Sequence, residues 1–142
     1  MDAAIERQVT LPADLEAAWD LLTRPDDQAG WLGAEVDLDP RPGAAGVVVD
    51  HDGTRRRLVV DEAEAGHRLA WRWAVEGDDG LVGPASHVEI TLAPVEEGTR
   101  VTVVERPLEP VGREVQASTG AAWSHRLLHL EALLLVAAAV RG

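Results

Sequence analysis

The sequence predicts an α+β domain, a seven-stranded curved antiparallel sheet with two short helices after the first strand and a long C-terminal helix packed across one face. Three observations predict it. Between Ala34 and Pro107, short alternating apolar runs are separated by Asp-Gly, Glu-Gly and Pro-Gly signals about every ten residues, the texture of an antiparallel meander. Beyond Pro110, Trp123, Leu127, Leu130, Leu134 and Ala137 recur at spacings of four, three, four and three, one apolar stripe on a helix. The length of 142 residues with 46% apolar residues suits one core, and no repeat or linker divides the chain, so residues 1–142 read as a single domain.

The elements follow in order. Ala4 to Leu11 sets Ile5, Val9 and Leu11 against Glu6, Gln8 and Thr10, a first strand in which Arg7 shares the apolar parity. Pro12 stops it, and Asp14 caps a helix with Leu15, Ala18, Trp19 and Leu22 on one face. Arg24-Pro25 ends that helix, and Pro25-Asp26-Asp27 opens a second, short one running to Trp31. Six strands are then expected at Glu35–Asp39, Gly46–His51, Thr54–Glu62, Arg68–Glu76, Ser86–Ala93 and Arg100–Arg106. Asp52-Gly53 and Glu97-Gly98 are hairpin turns, Gly43-Ala44-Ala45-Gly46 is a turn, and Gly77 to Pro84 is expected to be a longer, mobile loop.

Charge and composition remove whole classes of function. With 25 acidic against 13 basic residues, the net charge of −12 repels phosphate backbones and anionic lipid surfaces, so nucleic acid is not an expected partner. No cysteine is present, which removes disulfides, thiolate metal sites and cysteine nucleophiles. Membrane insertion is not expected: His129 and Glu131 interrupt the strongest apolar run, Leu127 to Val140, which is also too short to span a bilayer. The opening MDAAIERQ lacks the basic and apolar regions of a secretory signal, so a cytoplasmic location is expected. The absence of Lys, Asn, Phe and Tyr beside abundant Ala, Val, Gly, Arg and Asp points to a G+C-rich, bacterial coding bias.

The segment LPADLEAAWDLLTRPDDQAGWLG resembles the opening of the START-like superfamily, with a strand, a proline, an amphipathic helix and a tryptophan-bearing second helix. GAAGVVVDHDGTRRRLVVDEAEAGHRLAWRW, SHVEITLAPVEEGTRVTVVE and AAWSHRLLHLEALLL are similar to its bacterial branch, named after the activator of the heat-shock protein 90 ATPase. The resemblance covers nearly the whole chain. It implies the helix-grip fold and a cavity between sheet and C-terminal helix, but no single chemistry, since the superfamily holds lipid carriers, hormone receptors and polyketide cyclases. The chain departs from the pattern where the usual glycine after a hairpin turn falls within Arg55-Arg56-Arg57-Leu58, and where valine replaces strand aromatics, so the resemblance implies a differently shaped pocket. Chaperone activation is not carried over, because bacterial members generally lack the additional domain that holds the chaperone.

Strand parity separates pocket from surface. If Leu69, Trp71, Trp73 and Val75 face the helix, Arg68, Arg72 and Glu76 face water; Val88, Ile90 and Leu92 likewise point in while His87 and Glu89 point out. Leu58 and Val60 point in with Arg56 beside them, and Val101 and Val103 point in with Glu105 at the sheet end. An unpaired buried charge is costly, so Arg56 and Glu105 are expected to meet across the cavity or reach water at its mouth. Trp31, Trp71 and Trp73 suit an aromatic-lined wall, whereas Trp19 and Trp123 are expected in the core, and Trp123 and Leu127 supply the helix side of the cavity.

His125 and His129 lie one helical turn apart but opposite the stripe, so no metal site is expected, nor any cofactor. Leu128, Leu135 and Val136 fall outside the stripe and point to a homodimer. Ser86, Ser118 and Ser124 lack a nucleophile-elbow setting. The reading that ranks first is noncatalytic binding of a small apolar or aromatic molecule. Two alternatives stay open: an enzyme of the polyketide cyclase or dehydratase kind acting through Glu105, and a protein-interaction domain whose cavity is filled.

Overall fold

The computed structural model describes residues 4–141, with side chains as far as residue 136. Its elements are β1 (Ile5–Leu11), α1 (Leu15–Thr23), α2 (Pro25–Gln28), β2 (Glu35–Asp37), β3 (Ala45–Val49), β4 (Arg55–Glu64), β5 (Arg68–Gly77), β6 (Gly80–Val95), β7 (Gly98–Pro107) and α3 (Arg113–Arg141). The seven strands form one sheet in the order β1-β7-β6-β5-β4-β3-β2, with every pair antiparallel. Register shifts at Val60/Glu62 and at Trp73/Val75 insert extra residues that bend the strands and curve the sheet. Trp123, Leu127 and Leu130 of α3 join the inward row of the sheet in a single buried cluster.

Pairing places the inward residues as their parity requires. Leu58 lies opposite Trp73, Val60 opposite Trp71, Trp71 opposite Val88, Val88 opposite Glu105 and Ile90 opposite Val103. The other face carries ion pairs of Arg72 with Asp61, Arg55 with Glu76, and Arg68 with both Glu62 and Glu89. Being solvated, these pairs add little to stability. Arg7, opposite Val103, keeps the apolar parity of β1 yet stays exposed at the sheet margin, where its Nε donates to Ser124 Oγ of α3 (3.0 Å).

The helical segment between β1 and β2 is fixed by side chains at its ends. Asp14 Oδ1 accepts from the Ala17 amide (2.8 Å), satisfying one free donor of the first turn. Asp14→Ala is therefore expected to lower stability by about 1 kcal/mol in urea denaturation. Arg24 is extended (ψ 132°), as a residue before proline must be, and Pro25 starts α2. The buried Gln28 donates through Nε2 to the carbonyls of Thr23 (3.1 Å) and Leu38 (2.9 Å), tying α1 to the chain beyond β2.

Several boundaries differ from expectation; β3 ends at Val49 rather than His51, which leaves Asp50 outside the strand, and β4 and β7 are shifted or extended by one or two residues at their ends. α2 ends at Gln28, and turns rather than helix carry the chain through Trp31 and Leu32. β2 is shorter than expected, ending at Asp37. The Gly43–Gly46 turn is displaced: the turn closes between Arg41 and Ala44 (Ala44 N to Arg41 O, 3.0 Å), and Gly46 lies inside β3. A Cβ there would stand 2.2 Å from the Asp37 carbonyl, so close strand approach rather than turning requires that glycine. The expected loop Gly77–Pro84 is instead a ribbon, because β6 begins at Gly80 and pairs back along β5, leaving Asp78-Asp79 as the turn. Gly80 takes a φ of 115°, closed to other L residues, and Leu81 and Val82 are both exposed, so no alternation marks the ribbon in the sequence.

Trp123 is fully buried and Trp19 half-buried against the core. Leu128, Leu135 and Val136 are exposed on α3; Ala137, the last member of the stripe, lies outside the described side chains. Among the described residues no helix is long and apolar enough to cross a membrane.

Candidate functional site

Three tryptophans fill the space between sheet and helix. Trp73 of β5 stacks on Trp123 of α3 (centroids 6.0 Å apart, planes at 26°), and Trp71 meets Trp73 edge-on at 5.6 Å. Their indole N–H groups need acceptors, and the inward carboxylate of β7 supplies one to two of the three. Trp73 Nε1 donates to Glu105 Oε2 (3.2 Å) and Trp123 Nε1 to Glu105 Oε1 (2.7 Å). Glu105 is thereby accommodated while 8% exposed.

Arg126, one turn beyond Trp123, lies close to both rings, its guanidinium carbon 4.6 Å from the Trp123 centroid and 5.3 Å from that of Trp73. It is 7% exposed. Its Nε donates to the Leu32 carbonyl (3.0 Å) and its Nη2 to Asp50 Oδ1 (3.0 Å). Burial lowers its proton affinity below that of a free guanidinium; the Asp50 charge opposes this, Arg56 adds to it, and Glu105 opposes it again. Arg56 of β4 ion-pairs with the other oxygen of Asp50 and lies 5.1 Å from the Trp73 centroid. One carboxylate thus serves two guanidinium groups.

Two cavities open beside this cluster. The first, about 380 Å³, is bordered by Arg56, Trp73, Glu105, Ser118, Thr119 and Arg126 among others. The second, about 370 Å³, is bordered by Trp31, Leu32, Asp50, His125, Arg126 and His129 among others. The rings of His125 and His129 stand 4.5 Å apart and that of His51 lies 6.3 Å from His129, yet no group among the described residues has the arrangement of a metal site. The indole nitrogens of Trp31 and Trp71 are buried without a hydrogen-bond partner. A larger recess of about 720 Å³ between the start of α1 and the β6–β7 turn has no buried side chain in its lining. It is a surface depression, and the polar chemistry lies at the tryptophan cluster.

The candidates read from the sequence divide into two groups. Arg56, Trp73 and Glu105 border the first cavity and Trp31 the second. Leu58, Trp71, Val88, Ile90, Val103, Trp123 and Leu127 form the packed layer around them, each at most 4% exposed. Of the two arrangements expected for Arg56 and Glu105, meeting across the cavity or reaching its mouth, the direct meeting is not formed: both border one cavity, but Glu105 is held by two indoles and Arg56 by Asp50. Sequence reasoning missed Asp50 and Arg126. Asp50 sits just past β3, beside the Asp52-Gly53 turn that claims attention as turn chemistry. Arg126 falls between His125 and Leu127 at the edge of the stripe; its spacing of three from Trp123 is the signal that places it on the buried flank.

A family model described as Activator of Hsp90 ATPase homolog 1-like protein matches residues 12–135. No curated protein matches the sequence. Among solved structures, DynU16, a protein of the dynemicin biosynthetic locus, is 30% identical over 94% of this chain, with a TM-score of 0.83. The match covers 48% of DynU16, so this chain spans about half the length of that relative. A Mesorhizobium loti protein (22% identical, 92% of this chain and 96% of that one, TM-score 0.81) shares the fold. So does the AHSA1 protein of Silicibacter pomeroyi (22%, 94% and 98%, TM-score 0.77).

Proposed function

This chain belongs to the family of Activator of Hsp90 ATPase homolog 1-like proteins, and from the chemistry of its cavities we propose that it binds a small aromatic or otherwise hydrophobic molecule without transforming it. The observation that carries this reading is the first cavity, about 380 Å³, where a tryptophan face meets two guanidinium groups and a fixed carboxylate. That volume lies within the ordinary range of small-molecule sites, roughly 300–1,000 Å³. Binding is favoured over catalysis because both oxygens of Glu105 already accept indole N–H groups, which leaves the carboxylate poorly placed to take a proton from a substrate. A cyclase-like enzyme is the second reading, favoured by the similarity to a protein of a biosynthetic locus.

Native mass spectrometry of the purified protein, followed by thermal shifts with flat aromatic, polyketide-like and fatty acyl compounds, tests the proposal. A co-purified or stabilising compound supports it. Glu105→Gln is expected to weaken that compound's binding about tenfold, roughly 1.4 kcal/mol, since an amide cannot accept from both indoles and the Trp73 face of the cavity loses its position. No binding anywhere in the panel overturns the reading and favours a protein-interaction domain.

A further inference from the structure

We propose that a stripe on the outer face of α3 pairs with the same stripe on a second copy of this chain, and that the pairing covers the rim of the second cavity. This pairing goes beyond the ligand reading and does not depend on it.

The stripe is periodic. Ala121, His125, Leu128, Ala132 and Leu135 follow at spacings of four, three, four and three, the rhythm that also brings Trp123, Leu127, Leu130 and Leu134 onto the sheet. All five outer residues are exposed, and so is Val136 beside them. On a helix of 3.6 residues per turn these six fall within an arc about 100° wide, on the side away from the sheet. A seam of this period is the complement of another helix, whose side chains enter the gaps between its own. The other helices among the described residues are α1, whose Ala18, Leu21 and Leu22 are already buried, and α2, a single turn. The matching helix therefore comes from outside the chain, and α3 of a second copy carries the same seam.

Charge selects the same partner. α3 holds two of the 25 acidic residues and three of the 13 basic ones, so the net charge of −12 resides on the rest of the chain. None of the six outer residues is acidic or basic apart from the imidazole of His125, and Arg126 is buried. A basic partner is drawn to the acidic surfaces elsewhere. Two copies repel one another over most of their surface and approach closely only at a face without fixed charge. Salt screens that repulsion, so salt should strengthen this contact, whereas it weakens one made by opposite charges.

The stripe and the second cavity share Ala121 and His125, so a helix seated on the stripe lies against the cavity's rim and covers His125. From Ala121 to Leu135 the seam runs about 21 Å. That is short for the roughly 800 Å² per partner of a stable pair, so the dimer is a weak one.

Sedimentation equilibrium of the full chain up to about 1 mM, in low and high salt, tests the pairing. Histidine modification by diethyl pyrocarbonate, read by mass spectrometry, tests the covering without any ligand. The expected result is a reversible dimer that tightens in high salt and that Leu128→Glu weakens about tenfold or more. At dimer concentrations His125 should react several-fold more slowly in the wild type than in Leu128→Glu, while the exposed His67 of the β4–β5 turn reacts equally in both. Val59→Glu, at an exposed position on the other face of the sheet, should leave the dimer unchanged; circular dichroism checks that both variants keep the fold. A chain that stays monomeric at every concentration and salt overturns the inference, as does a dimer that survives Leu128→Glu or yields to Val59→Glu. Equal modification of His125 in the two proteins overturns the covering of the cavity. A monomer that instead floats with phosphatidylcholine vesicles assigns the stripe to a lipid surface and overturns the pairing.

Discussion

Trp123→Ala is expected to lower stability by about 3–5 kcal/mol, the cost of truncating a large buried aromatic and leaving a cavity behind. The indole is fully buried, stacks on Trp73, touches Trp71, carries the Arg126 guanidinium and donates to Glu105. Alanine removes all of these at once, and Glu105 keeps one donor in a nearly dry place. Thermal denaturation followed by circular dichroism should show a midpoint lower by about 10–20 °C for a domain of this size. Trp123→Phe separates two contributions. It keeps most of the stacking area and removes the N–H, so its midpoint should fall between those of wild type and alanine variant. A loss below about 1 kcal/mol for the alanine variant would show that α3 does not press its stripe onto the sheet as described.

Asp50→Asn is expected to cost about 3 kcal/mol, the lower end of what breaking a buried ion pair costs, because Asp50 is itself 20% exposed. The loss comes from what stays behind. Arg126 remains buried beside Arg56 with no counter-charge closer than Glu105, and two like charges then share one neutral amide. The double variant Asp50→Asn with Arg126→Met should recover most of the loss, since an apolar chain of similar length removes the stranded charge. Urea denaturation of the two single variants and the double variant measures the coupling directly. Additive losses would mean that the pair contributes no mutual stabilisation.

The fold was legible where one physical rule acted alone. Two-residue periodicity located the central strands and their inward faces, and the spacing of Trp123, Leu127 and Leu130 located the buried face of α3. It failed on the β5–β6 ribbon, where Leu81 and Val82 are exposed and a register shift after Trp73 breaks the period. Parity also brought Arg56, Trp73 and Glu105 to one place, because an inward charge at a strand end stands out against valine and tryptophan. It could not say who their partners would be. The acceptor for Arg56 comes from the end of a different strand, and the donors to Glu105 from β5 and α3, so those bonds exist only once tertiary structure forms. Arg126 shows a further limit: an arginine among histidines reads as wet surface until Asp50 and two indole faces are seen around it.

The order of the strands has a kinetic side. From β2 to β7 every sheet neighbour is also the next strand in sequence, so each hairpin closes over a short loop as the chain emerges during synthesis. β1 is the exception. Made first, it must wait for β7, because Ile5 pairs with Glu105 roughly a hundred residues later and that closure carries the largest loop entropy in the sheet. α3 follows later still, which leaves the tryptophan-rich face of the sheet uncovered until that helix has been made. The nascent protein is thus most prone to association with its own kind in the interval between synthesis of β7 and docking of α3.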